Sequence, residues 1–121
     1  MIKVIYKAGN RAKSKQESLL IESFEKNGIK VEKIPSHSIN REELIQALIL
    51  TYNGFDDIVV TRPQNEQLKQ LKEICYDFNF NRAVEFLIGH PELVKTPIVY
   101  DEKNLVVSTR AEKIKKFMLK K

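Results

Sequence analysis

The segment from Thr96 to Leu119 constrains the fold most. Two β-branched runs, Ile98 to Tyr100 and Leu105 to Val107, flank Asp101-Glu102-Lys103-Asn104, a polar connection of the length that closes an antiparallel hairpin. A hairpin alone is marginal in water and needs a helix on its face. Thr109 followed by Glu112 is a capping-box pair, and Ala111, Ile114, Phe117 and Met118 recur at helical spacing, giving an apolar stripe that covers that face.

At 121 residues the chain has the length of one domain with a single core, so residues 1–121 are expected to form one unit. Hydrophobic residues make up 42% against 31% charged, as in ordinary globular proteins, and no apolar run approaches the roughly 20 residues that cross a bilayer. No membrane partner is expected. The opening MIKVIYKAGN holds no leader-like apolar block with a small-residue cleavage site, which makes the cytoplasm the expected location. The single cysteine, Cys75, excludes an intramolecular disulfide, a two-cysteine redox centre and a multi-cysteine metal cluster. A net charge of +5 favours acidic partners in bulk without naming one.

Ile2 to Tyr6 has the apolar character of a central strand covered on both faces. Asn10 is placed to cap a helix running to about Asn27, with Leu19, Leu20 and Phe24 inward and Asn27-Gly28 as a left-handed stop. Ile29 to Ile34 alternates apolar and charged residues, the pattern of a half-exposed edge strand, and Pro35 ends it. Strand, helix and strand at this length form a right-handed parallel unit. Asn40 with Glu43 is a second capping box, opening a helix from Arg41 to about Thr51 that Tyr52-Asn53-Gly54 terminates.

Leu44, Ile45, Ala47, Leu48, Ile49 and Leu50 cover most of that helix's circumference, more than a one-sided core face requires. Either the helix is sandwiched between neighbours, or it carries an exposed apolar patch for a partner. Gln64 to Phe78 is a further helix with Leu68, Leu71, Ile74, Cys75 and Phe78 on one stripe, which makes Cys75 a packing residue. Asn81 to Ile88 forms a shorter one, stopped by Gly89-His90-Pro91.

Gly9 to Ser14 after a strand mimics a phosphate-binding loop, but Ala12 replaces the second glycine and Lys13-Ser14 comes too early to wrap a phosphate. His37 and His90 have no metal-ligand spacing, and Ser14 has no local base to activate it. Lys7, Arg11, Lys13 and Lys15 surround the start of the first helix, where free N–H groups attract anions or nucleic acid. Lys113, Lys115, Lys116, Lys120 and Lys121 lack interleaved aromatics that could stack bases.

Taken in order, these segments resemble the ArsC/Spx family, nearer to the Spx branch of transcription regulators that bind RNA polymerase. The resemblance rests on Val4-Ile5-Tyr6-Lys7, Thr51-Tyr52-Asn53-Gly54, Thr61-Arg62, His90-Pro91 with Leu93, and Pro97 to Lys103. It implies an α/β, thioredoxin-like fold: a mixed four-stranded sheet with flanking helices and a helical lobe inserted at about residues 40–90. Thr96-Pro97 then falls at the cis-proline that faces the family's active-site loop, and only before proline is a cis bond cheap.

The departures shape the functional expectation. The family's Cys-x-x-Cys falls on Arg11 and Ser14, and Thr96 stands where an arginine usually precedes the proline, leaving Arg62 of that polar set. Arsenate reduction needs a low-pKa thiolate, so no enzymatic activity, cofactor or metal is expected. What the resemblance retains is a partner surface: Gly54 aligns with a glycine on the face that docks the C-terminal domain of the RNA polymerase α subunit. Leu48, Ile49 and Tyr52 would join it, with Ile49 where Spx-like regulators tend to carry a basic residue. The expected function is an Spx-like regulator without a redox switch, with weak DNA contact through the basic surface. The alternative is an arsenate reductase-like protein that has lost its catalytic cysteine, or a small-anion binder using Arg11, Arg62 and the first helix N-terminus.

Overall fold

The computed structural model describes residues 1–7 and 12–118, and its chain divides into two compact units, Met1–Ser36 with Thr96–Lys121, and His37–Lys95. In the first unit a four-stranded sheet has the order β2-β1-β3-β4, formed by β1 (Ile2–Tyr6), β2 (Val31–Pro35), β3 (Ile98–Tyr100) and β4 (Leu105–Val106). β1 pairs parallel with β2 from Ile2↔Val31 to Tyr6↔Pro35, and antiparallel with β3 from Lys3↔Tyr100 to Ile5↔Ile98. This is the mixed four-stranded sheet that the family resemblance implied. The hairpin closes through the Asp101 carboxylate, whose Oδ1 accepts the N–H groups of Lys103 and Asn104, both at 2.8 Å. A short acceptor side chain at the first turn position fixes a turn in this way.

Two helices supply the rest of this unit, α1 (Ala12–Lys26) and the closing helix Ala111–Met118. Leu20, Ile21 and Phe24 from α1, with Ile114 and Phe117 from the closing helix, pack into one core with Ile2, Val4, Val99 and Val106. Burying a side chain of the size of Phe24 or Phe117 contributes about 1.5–3 kcal/mol. The inward register of α1 differs from the expected one, since Ile21 is buried and Leu19 faces solvent. Spacing explains it: positions 14, 17, 20, 21 and 24 share a face, and Leu19 lies off that stripe. The expected stop holds, with Gly28 at φ +74° after the last turn. The closing helix begins one residue later than a Thr109 cap requires, because the Arg110 carbonyl accepts the N–H groups of Lys113 and Ile114. The Asn10 cap lies outside the described residues.

At the edge, β2 turns Glu32 and Lys33 to solvent, a charged rim that discourages pairing with another sheet. Among the described residues no helix is long and apolar enough to cross a membrane.

The second unit is helical, with α2 (Arg41–Ile49), α3 (Phe55–Ile58), α4 (Glu66–Asp77) and α5 (Phe80–Gly89), after which the closing helix of the first unit becomes α6. Asn40 forms the expected capping box, its Oδ1 accepting from Glu43 N–H at 2.8 Å while Glu43 Oε1 accepts from Asn40 N–H at 3.0 Å. Asn65 and Asn79 cap α4 and α5 by the same acceptor chemistry. Both α2 and α4 pack on α5. A bridge between Val59 and Val94 ties the segment after α3 to the chain's exit, with Val60 N–H donating to the Leu93 carbonyl at 2.8 Å and Lys95 N–H to the Ile58 carbonyl at 2.7 Å. Here α2 ends earlier than expected, at Ile49 with Leu50 as its cap, and α3 was not foreseen.

Candidate functional site

In the first unit the inward stripe of α1 turns polar at its start. Ser14 and Glu17 lie one turn apart, both buried, and Glu17 is 0% exposed. Glu17 Oε1 accepts the backbone N–H of Lys7, just past β1, at 2.7 Å, and Oε2 accepts the Thr96 hydroxyl at 3.0 Å. Thr96 is buried and precedes Pro97 through a cis peptide bond. Ser14, Thr96 and Pro97 therefore all belong to this unit, with Glu17 fixed between Thr96 and the end of β1. Arg11 lies outside the described residues. Arg62 belongs to the second unit, exposed on the segment after Val60. Glu17 was not singled out from the sequence, although helical spacing puts it on the same stripe as Leu20, Ile21 and Phe24.

In the second unit α2 is one-sided. Leu44, Ala47 and Leu48 face inward, whereas Ile49 is 76% exposed and Tyr52, just beyond the helix, is 99% exposed. Leu48, at 7%, faces inward and offers almost no surface to a partner. The turn carrying Tyr52 is held by Asp57, whose Oδ2 accepts the N–H groups of Tyr52 and Asn53 at 2.9 and 3.0 Å. Those hydrogen bonds, first the one from the Asn53 backbone, hold the Asp57 carboxyl below its ordinary range.

Gly54 follows at φ +61°, ψ −129°, a backbone conformation open to glycine and strained for other residues. Gly54 is half-buried, and a Cβ added there would meet nothing within 4 Å, so the side a side chain would take opens on free space. This glycine opens α3 as its N-cap residue rather than closing α2 in the left-handed conformation. Beyond it, the rings of Phe55 and Phe80 meet at a tilt of 45° with centroids 5.7 Å apart, and Tyr76 donates its hydroxyl to Asp56 Oδ1 at 2.7 Å. Tyr76 and Phe80 are themselves exposed. Burial and then the Asp56 carboxylate push the Tyr76 hydroxyl pKa up. Cys75, on the same helix, is 1% exposed, and burial raises its thiol pKa.

The family model described as ArsC family matches residues 7–117. The chain belongs to the ArsC family. Two Bacillus regulators are similar in sequence to this ArsC family chain. Regulatory protein MgsR of Bacillus subtilis is 37% identical over 81 residues, which cover 67% of this chain and 63% of MgsR. Global transcriptional regulator Spx 2 of Bacillus cereus is 32% identical over 108 residues, covering 89% of this chain and 76% of that protein. The chain thus spans less than two thirds of the length of MgsR and about three quarters of Spx 2. A solution structure of a Staphylococcus aureus protein superimposes with a TM-score of 0.68 at 19% identity, covering 96% of this chain and 97% of that one. That likeness establishes the fold, the thioredoxin-like ArsC architecture implied by the sequence.

Proposed function

We propose that this chain is an Spx-like transcription regulator of the cytoplasm that docks the C-terminal domain of the RNA polymerase α subunit, without a thiol switch. One observation carries the reading: Ile49 and Tyr52 stand exposed shortly before Gly54, where a Cβ would meet open space, so an aliphatic and an aromatic anchor precede a glycine that a partner backbone could approach. Isolated exposed apolar residues are ordinary, but an aromatic held on a turn braced by Asp57 presents a large contact area at little cost in conformational entropy. The names of MgsR and Spx 2 support the same class of function. Thiol chemistry finds no support, because the one cysteine of the sequence is buried on α4. Charge adds support for a weak DNA contact. The sheet-bearing unit holds fifteen of the 21 Lys and Arg but seven of the 16 Asp and Glu, which leaves the helical unit acidic.

Binding of the purified α C-terminal domain, measured by calorimetry for wild type and Tyr52→Ala, tests the proposal. Tyr52 is solvent-exposed, so its removal should leave the melting curve unchanged while weakening binding tenfold or more, about 1.4 kcal/mol or above. Wild-type protein that does not bind the domain, or Tyr52→Ala that binds as wild type does, refutes it.

A further inference from the structure

The buried end of α1 carries an inference about the first unit that is independent of the polymerase reading. A carboxylate withdrawn from water is costly unless hydrogen bonds or a counter-charge replace its hydration. Glu17 is fully buried, and among the described residues no Lys or Arg forms an ion pair with it. Its two oxygens are instead met separately, Oε1 by the Lys7 backbone N–H and Oε2 by the Thr96 hydroxyl. A backbone N–H and a hydroxyl converging on a negative oxygen pair are the donor types that hold a small external oxyanion or carboxylate. The donors come from the end of β1 and from the residue before Pro97, while the acceptor comes from α1, so the three chain segments meet on this one group.

We propose that the Glu17 carboxylate is the resident anion of this site: it occupies the position an external oxyanion would take, satisfies the donors, and closes the site to phosphate, arsenate and free carboxylates. The site then works as an internal tie joining β1, α1 and the entry to β3. Cutting Glu17 back to Ala removes the charge and leaves a space with the Lys7 N–H and Thr96 hydroxyl unpaired, a vacancy that a free carboxylate of the smallest size fills.

The test uses the full chain as wild type, Glu17→Ala and Glu17→Gln, titrated with sodium formate and, at equal ionic strength, sodium chloride. Thermal melting and the Lys7 amide resonance are both followed. Glu17→Ala should melt below wild type, recover in formate with a saturating dependence, and not recover in chloride. Glu17→Gln fills the same space without a charge and should show no formate response. The wild-type Lys7 amide should stay in place on addition of formate, phosphate or arsenate. A saturable shift of that amide in wild type overturns the proposal. So does a Glu17→Ala protein that gains nothing from formate beyond chloride, or a Glu17→Gln that responds to it. If Glu17→Ala is unfolded in buffer, refolding by formate supports the proposal and its failure counts against it. The wild-type titration decides independently of either variant.

Discussion

Replacing Gly54 separates backbone strain from partner contact, because the two have different observables. At φ +61° and ψ −129° any side-chain-bearing residue sits in a sparsely populated backbone region, costing about 1–3 kcal/mol. No steric term adds to this in the free protein, since a Cβ at Gly54 meets nothing within 4 Å. For a chain of 121 residues each kcal/mol lowers Tm by roughly 3–6 °C. Gly54→Ala and Gly54→Arg should therefore melt several degrees below wild type and close to each other. Their affinities for the α C-terminal domain should diverge. Alanine adds one methyl group, whereas arginine would insert a long charged side chain into the proposed contact and leave it desolvated without a partner. Differential scanning fluorimetry gives the first comparison, and calorimetric titration of the folded protein the second. A Gly54→Ala that melts with wild type would refute the strain reasoning. A Gly54→Arg that binds as tightly as Gly54→Ala would remove Gly54 from the contact.

Two further outcomes follow from the second unit. Cys75 is buried with its thiol pKa raised by desolvation, so at pH 8 iodoacetamide should leave the native chain unmodified over hours and label it rapidly in denaturant; fast native labelling, seen by mass spectrometry, would contradict the packing role. The Asp57 carboxyl is held below its ordinary value of 3.8 by the N–H groups of Asn53 and Tyr52, so its stabilisation is fully present above that value and fades as pH falls through the lower folded-state value. The stability advantage of wild type over Asp57→Asn, measured by urea unfolding, should accordingly hold steady from pH 5 to 7 and shrink toward pH 2; an advantage that grows on acidification would refute it.

Local chemistry made much of the fold legible. Asn40 and Glu43 are three residues apart, and the reciprocal box they announce is present. The alternation from Ile29 to Ile34 marked an edge strand because one face of such a strand must stay wet, and β2 lies at the edge of the sheet. Elsewhere hydrophobicity alone does not decide which side chains are buried. Leu19 and Ile21 are equally apolar, but Ile21 is in step with Leu20 and Phe24 on the face of α1 that enters the core, and Leu19 is not. The end of α2 carries no glycine signal, because Leu50 caps it in an ordinary helical conformation and Gly54 serves the next helix. The candidate partner surface was half legible. Ile49 and Leu48 are indistinguishable by hydrophobicity, and burial separates them only once α2 is placed against α5. Glu17 was the least visible, since a glutamate on a helix is almost always solvated and its two donors lie in Lys7 and Thr96, at opposite ends of the chain.

The strand order has a consequence for how the chain is made. β1 takes its second neighbour from Ile98 to Tyr100, after the whole of His37–Lys95 has been synthesised. A nascent chain leaving the ribosome can form the β1-α1-β2 unit early, but one side of β1 stays unpaired until the helical segment has emerged. Loop-closure entropy rises only slowly with length, so the delay is set less by the search than by translation, at about 5–20 residues per second. For several seconds that edge of β1, with its unpaired backbone N–H and C=O groups, is open to mispairing. A synonymous change that slows translation between Gly54 and Lys95 would lengthen that interval and lower the soluble yield, leaving the finished protein's stability unaltered.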